Sequence, residues 1–276
     1  MSSPRRNEDH RDLWGQEGPP NLDAVFRSCL GYAASPGWRA MEGAVVEHLG
    51  GFEEIRTVEL GCGEGKVSLL FALRGASTTL VDYSDQQLRR ARQVAEAFDL
   101  APAIMPGNLL RLPHEAFERF DVSMSFGTAE HFFGADRQAI FDAHRNVLRP
   151  GGITFVWVPN RWGLLFHAGV RARRQLGRDT CHVDEIPFSR SELAERAARA
   201  GLGEVRIVGG DTLWNDFNHF IVNTRRLVGL GGGDAYQGAE AARQKLVTAM
   251  QRNDSHPGML ANRFSYPLLL IGKRLD

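Results

Sequence analysis

The chain of 276 residues carries 33 Lys and Arg against 33 Asp and Glu, a formal net charge of zero, with 24% charged and 43% hydrophobic residues. Those proportions describe a soluble globular chain able to bury a core unaided, as one large domain or one domain with an insertion. Zero net charge gives no general attraction for nucleic-acid phosphates or anionic lipid, which argues against both as partners and favours a small or neutral one.

Residues 1–20 are polar and charged, with no apolar run of leader length, and no later run reaches the ~18 apolar residues of a membrane span, so a cytoplasmic protein is expected. Cys29, Cys62 and Cys181 are odd in number and scattered, as in a reduced compartment. Residues 1–54 read as an N-terminal helical head or lid. Beyond them, short β-branched and aromatic runs at 56–60 (RTVEL), 77–81 (STTLV), 102–106 (PAIMP), 120–126 (FDVSMSF) and 153–158 (ITFVWV) predict buried strands. Between them lie helices. Ser84 with Gln87 has capping-box spacing, followed by Leu88, Ala91, Ala95 and Phe98 on one face. Ile140, Ala143, His144 and Val147 form a second stripe that stops before Pro150, and a third helix opens at Ser189, with Glu192, and closes at Gly201. Two more strand-like runs, 204–210 and 265–274, enclose an insertion whose helix aligns Ala239, Ala242, Leu246 and Met250. Alternating strand and helix predicts a parallel α/β sheet covered on both faces.

The most informative stretch leaves the first strand and enters a helix: Glu59, Leu60, Gly61, Cys62, Gly63, Glu64, Gly65, Lys66. Glycines at 61 and 63 allow a sharp turn close to a ligand, and the helix that follows offers free N–H groups. The third glycine falls at 65, whereas a pyrophosphate-cradling dinucleotide fingerprint would need glycine at Lys66. Asp82 closes the second strand 21 residues beyond Gly61, the spacing at which a carboxylate holds a ribose. Glu59, just inside the strand end, suits a ligand with a positively charged amino-acid end better than a diphosphate.

In order, VELGCGEGKVSLLFA, LVDYS, GNLLRLP, FDVSMSFGTAEHF and NVLRPGGITFVWVPN resemble the motifs of the class I S-adenosylmethionine-dependent methyltransferases. They are most similar to the type 11-like small-molecule subfamily, whose fourth strand is followed by Glu-His-Phe or Glu-His-Leu. The resemblance covers residues 55–160 and continues more weakly to 210. It implies a Rossmann-like, doubly wound seven-stranded sheet, mostly parallel with an antiparallel last strand, with helical insertions forming a cap. The core would comprise residues 55–210 and 264–276, and residues 211–263 would cap the acceptor pocket. The implied cofactor is S-adenosyl-L-methionine, with S-adenosyl-L-homocysteine as product and no metal. By the same resemblance, Gly61 and Gly63 pass beneath the methionine portion, Glu59 organises its amino end and Asp82 grips the ribose. Tyr83 lies against the adenine, and Leu109 gives it an N–H and an apolar wall. Asn108 stands where many relatives have Asp and would use its side-chain carbonyl instead. Phe126, Gly127 and Thr128 border the sulfonium.

His131, after the fourth strand, is the candidate general base, because imidazole titrates near neutrality; a purely architectural role for the Glu-His pair is the competing reading. Glu130 is read as a hydrogen-bonding residue, Cys62 as packing and Lys66 as a surface residue. Further polar candidates in the two excursions are Asn160, Arg161, His167, His182, Asp184, Asp216, His219 and Tyr266. The Cys181–Glu185 loop lacks a second ligand cluster, so no metal is expected. Arg171, Arg173, Arg174 and Arg178 form a solvated helix face or meet an acidic group, and Trp14 and Tyr32 either close over the cofactor or pack. The expected reaction methylates an O, N or C nucleophile of a small metabolite. The alternatives are a cyclase- or decarboxylase-like enzyme of the same fold, a cofactor-binding protein without turnover, or a nucleic-acid methyltransferase. Against the last, residues 125–128 read Ser-Phe-Gly-Thr in place of the Asn/Asp-Pro-Pro-aromatic tetrapeptide used to stack a flipped base. A monomer or homodimer without nucleic-acid or membrane partner is expected.

Overall fold

The computed structural model describes residues 18–164, 167–168, 171, 175, 185–211, 235–256 and 258–276. Two helices, α1 (Leu22–Ala33) and α2 (Pro36–Leu49), precede the alternating core. There follow β1 (Arg56–Leu60), α3 (Lys66–Leu73), β2 (Ser77–Asp82), α4 (Asp85–Ala97), β3 (Ala103–Pro106), β4 (Phe120–Phe126), α5 (Asp136–Val147) and β5 (Leu148–Pro159). The chain continues through α6 (Arg190–Arg199), β6 (Leu202–Gly209), α7 (Ala239–Gln251), α8 (Met259–Phe264) and β7 (Pro267–Arg274).

The strands form one seven-stranded sheet in the order β3-β2-β1-β4-β5-β7-β6. β1 to β5 pair in parallel, and β7 inserts antiparallel between β5 and β6. This is the doubly wound, Rossmann-like sheet with an antiparallel last strand that the sequence predicts. Its strands read as continuous apolar runs because both faces are covered. Alternate side chains therefore enter two cores: Ile153, Phe155 and Trp157 of β5 join Leu269 and Ile271 of β7 on one face. Val156 and Val158 join Leu268 and Leu270 on the other. The first core holds α1, α2, α3 and α7, with Trp38, Phe71 and Phe155 among its largest fully buried side chains. α5 and α6 cover the second core.

The capping predictions are met locally. Ser84 Oγ accepts the Gln87 N–H, Ser189 Oγ accepts the Glu192 N–H, and Gly201 takes φ +79° after α6. β5 starts earlier than the apolar run indicates. Leu148 pairs with Phe120 directly after α5, the chain bulges through Pro150, Gly151 and Gly152, and pairing resumes at Val122 with Ile153. Gly152 fits because a Cβ there would stand only 3.0 Å from the Asp121 carbonyl.

The described part of the insertion returns to the head. Ala242, Leu246 and Met250 of α7 share the core of Val25 and Phe26, and the Asn253 amide donates to the Ala33 (3.0 Å) and Ser35 (2.8 Å) carbonyls. Residues 212–234 lie outside the described residues. Among the described residues no helix is long and apolar enough to cross a membrane.

Candidate functional site

The carboxyl ends of β1, β2, β3 and β4 open onto one cavity of about 1230 Å³. Its floor is the glycine turn after β1. The Gly61 and Cys62 N–H groups both donate to the Val81 carbonyl, at 2.8 and 3.0 Å, which folds the turn back onto β2. Gly61 and Gly63 have φ +73° and +50°, the left-handed region that side chains avoid. At Gly61 space is also absent, since a Cβ would collide with the Thr128 side chain, whose hydroxyl donates to the Gly61 carbonyl at 3.1 Å. α3 begins at Lys66 with no side-chain cap, so its first turn offers N–H groups at the cavity edge.

Two carboxyls hold this turn. Asp82, buried at the end of β2, accepts the Gly63 N–H (3.1 Å) and the Ser84 N–H (2.9 Å), and burial outweighs these donors to raise its pKa. Glu59, 2% exposed, accepts the Ser68 hydroxyl at 2.5 Å and the Ser68 N–H at 3.3 Å. Burial nevertheless pushes its pKa up to about 7. Both carboxyls line the cavity.

Beyond β3, Asn108 Oδ1 accepts the Leu110 N–H at 2.9 Å and caps the short turn Leu109–Arg111. The side-chain carbonyl that the sequence assigns to a ligand is thus already spending one lone pair on the backbone. Leu109 is buried beside it. Beyond β4, Gly127 (φ +72°) donates its N–H to the Trp157 carbonyl, which seats Phe126, Gly127 and Thr128 along the cavity wall. Glu130 and His131 follow in a single turn, Ala129–His131, both buried. The His131 N–H donates to the Thr128 carbonyl, and the His131 side chain borders the cavity. Glu130 is 2% exposed, its Oε2 has no hydrogen-bond partner among the described residues, and burial drives its pKa up to about 8.

The structure therefore gathers Glu59, Gly61, Gly63, Asp82, Tyr83, Asn108, Leu109, Phe126, Gly127, Thr128 and His131 around one space. Tyr32 borders it too, reaching in from the end of α1. Arg111, Phe132 and Asp136 also line it and escaped the sequence reading, because only the packing of the Leu109–Arg111 turn against α5 brings them there.

The excursion residues go elsewhere. Asn160 stitches β5 to β7: its amide donates to the Arg263 (3.1 Å) and Ser265 (2.9 Å) carbonyls, and its Oδ1 accepts the Trp162 N–H. His167 Nε2 lies 2.9 Å from the Asn160 carbonyl, and Arg161 pairs with Glu192 at 3.7 Å. Neither these three nor Tyr266 lines the cavity. Arg171 is exposed. Trp14, Arg173, Arg174, Arg178, Cys181, His182, Asp184, Asp216 and His219 lie outside the described residues. Among the described residues no group of three or more His, Cys, Asp or Glu is placed to hold a metal ion.

Comparison with known proteins agrees with this architecture. A family described as a methyltransferase domain, type 11, matches residues 58–156, from β1 into β5. The chain is 29% identical over 203 residues to the malonyl-[acyl-carrier protein] O-methyltransferase of Salmonella typhimurium, covering 72% of this chain and 73% of that protein. It is 28% identical over 130 residues to the tRNA 5-carboxymethoxyuridine methyltransferase of Escherichia coli, covering 47% of this chain and 49% of that one. The chain thus spans about half the length of several curated relatives it matches. A solved S-adenosylmethionine-dependent methyltransferase of Thermotoga maritima shares the fold at a TM-score of 0.54 and 15% identity, over 97% of this chain and 95% of its own. Residues 58–156 thus match a methyltransferase-domain family, and the chain is similar in sequence to methyltransferases and in fold to a Rossmann-like S-adenosylmethionine-dependent one.

Proposed function

We propose that the chain transfers a methyl group from S-adenosyl-L-methionine to an oxygen, nitrogen or carbon nucleophile of a small metabolite, releasing S-adenosyl-L-homocysteine. The observation that carries this is the convergence of the glycine turn, Asp82 and the end of β4 on one cavity. The residues fit such a cofactor. The turn is too tight for a Cβ at Gly61, and the buried carboxyls at 59 and 82 suit an ammonium and ribose hydroxyls respectively. Bound there, the cofactor supplies a methyl group already activated by a positive sulfur.

The chain's own task is to hold and to exclude. Asp82 retains lone pairs for ribose hydroxyls while it ties down Gly63, and Glu59 faces the ammonium, which would draw its proton off. Tyr83 and Leu109 would flank the base, and Asn108 would stand at its edge. Phe126, Gly127 and Thr128 would border the transferring carbon, and the Phe126 and Phe132 rings would limit competition from bulk water. His131 is the group at the cavity edge able to take a proton from an acceptor that must lose one. The balanced charge of the chain supports a small acceptor over nucleic acid. We place the protein in the cytoplasm as a monomer or homodimer, in keeping with its buried, unpaired Cys29 and Cys62.

Incubation of the purified chain with methyl-labelled S-adenosylmethionine and a small-molecule extract tests this. Labelled product should appear with S-adenosylhomocysteine in equal amount. Product formed while the cofactor is recovered intact would instead show a same-fold enzyme that moves no methyl group.

A further inference from the structure

Glu64 stands in the middle of the glycine turn, between Gly63 (φ +50°) and Gly65 (φ +67°), and lines the cavity. Glycines on both sides leave this stretch little conformational preference of its own, so contacts from neighbouring elements set its shape. One such contact is the bond from the Gly63 N–H to Asp82. The other is made by the Glu64 carboxylate, whose Oε1 accepts from Arg90 Nη2 at 2.5 Å and whose Oε2 lies 3.0 Å from Lys66 Nζ. Burial works to raise the Glu64 pKa, but Lys66 and Arg90 outweigh it and hold the group below the ordinary carboxylate value, so the bridge is ionic.

Arg90 belongs to the buried face of α4, with Leu88, Ala91 and Val94, and is 6% exposed. A buried guanidinium is costly unless its donors are used. Its second arm is used on the head: Nη1 donates to the Gly18 carbonyl at 2.7 Å. Pro19 and Pro20 follow, and their fixed φ angles make a stiff link to Asn21, whose Oδ1 accepts the Ala24 N–H and caps α1. Farther along α1 the Cys29 thiol donates to the Lys66 carbonyl, sulfur to oxygen 3.6 Å, and Tyr32 reaches the cavity. One side chain of α4 thus joins the middle of the glycine turn to the entry of the head.

We infer that Arg90 is a positioning residue for the cofactor site: it shapes the glycine turn through Glu64 and couples that turn to the N-terminal head through the Gly18 carbonyl. This rests on the methyl-transfer reading, which puts the methionine portion of the cofactor on the turn. Arg90 is not among the residues that line the cavity and acts through Glu64, which is. A turn shaped in advance loses less binding free energy to ordering when the ligand arrives. Coupling of this kind runs both ways, so a cofactor that steadies the turn also steadies the start of α1. With the guanidinium removed, the Gly63–Gly65 stretch is left for the cofactor to order, and α1 no longer responds.

Calorimetry with S-adenosylhomocysteine and backbone hydrogen exchange, both on the full chain, test this together. Arg90→Gln and Glu64→Ala should each bind S-adenosylhomocysteine about tenfold more weakly, and the double variant should fall within about twofold of either, since both remove one bridge. In the wild-type chain, saturating S-adenosylhomocysteine should slow exchange at the Ala24 and Val25 amides of α1 by at least about threefold, and in either variant at saturation that slowing should vanish. An Arg90 that only supports the fold would lower Tm and leave the slowing in place. Wild-type affinity in Arg90→Gln, fully additive losses in the double variant, or slowing at α1 that survives in the variants would overturn the inference. If Arg90→Gln folds poorly, the exchange readout in Glu64→Ala decides, because a glutamate that merely touched the ligand would not govern α1. A wild-type chain that binds no S-adenosylhomocysteine removes the methyl-transfer reading and this inference with it, whereas binding that the variants leave untouched removes the coupling alone.

Discussion

His144 shows how burial sets the charge of a single residue. It rises from α5 to the sheet, with Nδ1 3.1 Å from Ser123 Oγ and Nε2 2.9 Å from Ser125 Oγ, while Ser123 bonds on to Thr154 at 2.9 Å. The side chain is fully buried, and loss of solvation pushes its pKa down to about 3. Unfolded, the same imidazole titrates near 6.5. The unfolded chain therefore binds the proton first, and the stability tied to His144 is complete above pH ~6.5. Below that it falls by about 1.4 kcal/mol per pH unit towards the folded pKa. Glu59 and Glu130, raised to about 7 and about 8, act with the opposite sign, since they favour the fold at low pH and lose that contribution as pH rises. They are common to wild type and a His144→Gln variant, so they cancel in the difference between the two. Urea unfolding should show the wild-type advantage over His144→Gln shrinking by roughly 2 kcal/mol between about pH 7.5 and about pH 5. A constant difference would mean that His144 is not held neutral. Periodicity placed His144 correctly on the inward face of a helix. It could not reveal the serines opposite, because residues on one face of β4 are matched to α5 only once the sheet is assembled.

Arg137 ties several elements together. Its buried guanidinium pairs with Glu192 of α6 at 2.7 Å, donates to the Phe132 and Ile186 carbonyls and lies 3.5 Å over the Phe188 ring. The Ile186 N–H in turn donates to the Glu130 carbonyl, so one side chain links α5, α6 and the turn bearing Glu130 and His131. Arg137→Met leaves two carbonyls without their donor and takes from Glu192 its nearest cation, with Arg161 and Arg196 remaining at 3.7 Å. It should cost about 2 kcal/mol in denaturant unfolding, chiefly from the two unpaired carbonyls, and speed hydrogen exchange at the Ile186 amide. Wild-type exchange at Ile186 in that variant would contradict the link. Elements were legible wherever their signals are local: the Ser84 and Ser189 caps, the Gly201 stop and the strand runs 56–60 and 120–126 all lie where the sequence puts them. The early start of β5 was hidden, because pairing of Leu148 with Phe120 across a Pro-Gly-Gly bulge is a matter of register, not of propensity. Arg137 was hidden as well, since a charged residue one turn ahead of an apolar stripe resembles an ordinary solvated position.

At the scale of the whole molecule, the sheet order places the glycine turn after β1 at the centre, between the ends of β2 and β4, with β3 beyond β2. Topology alone thus gathers a motif, a carboxylate and an aromatic that lie 65 residues apart, from Gly61 to Phe126, into one cavity. That much was readable, because the motifs follow one another in strand order. The head was only half readable. Residues 1–54 suggested a helical head or lid; α1 and α2 put Phe26, Trp38 and Met41 into the larger core, and of the described head residues Tyr32 alone borders the cavity. The described stretch of the insertion packs on α1 and adds no residue to the cavity wall, an outcome set by α7 finding an apolar partner far away in sequence. Calorimetric titration of the full chain with S-adenosylhomocysteine is the most direct measurement of what this arrangement is for. A methyltransferase built on this cavity should bind one equivalent saturably, and Asp82→Ala, with its folding checked by Tm, should bind at least about tenfold more weakly. No heat of binding to the wild-type chain, or wild-type affinity in Asp82→Ala, would contradict it.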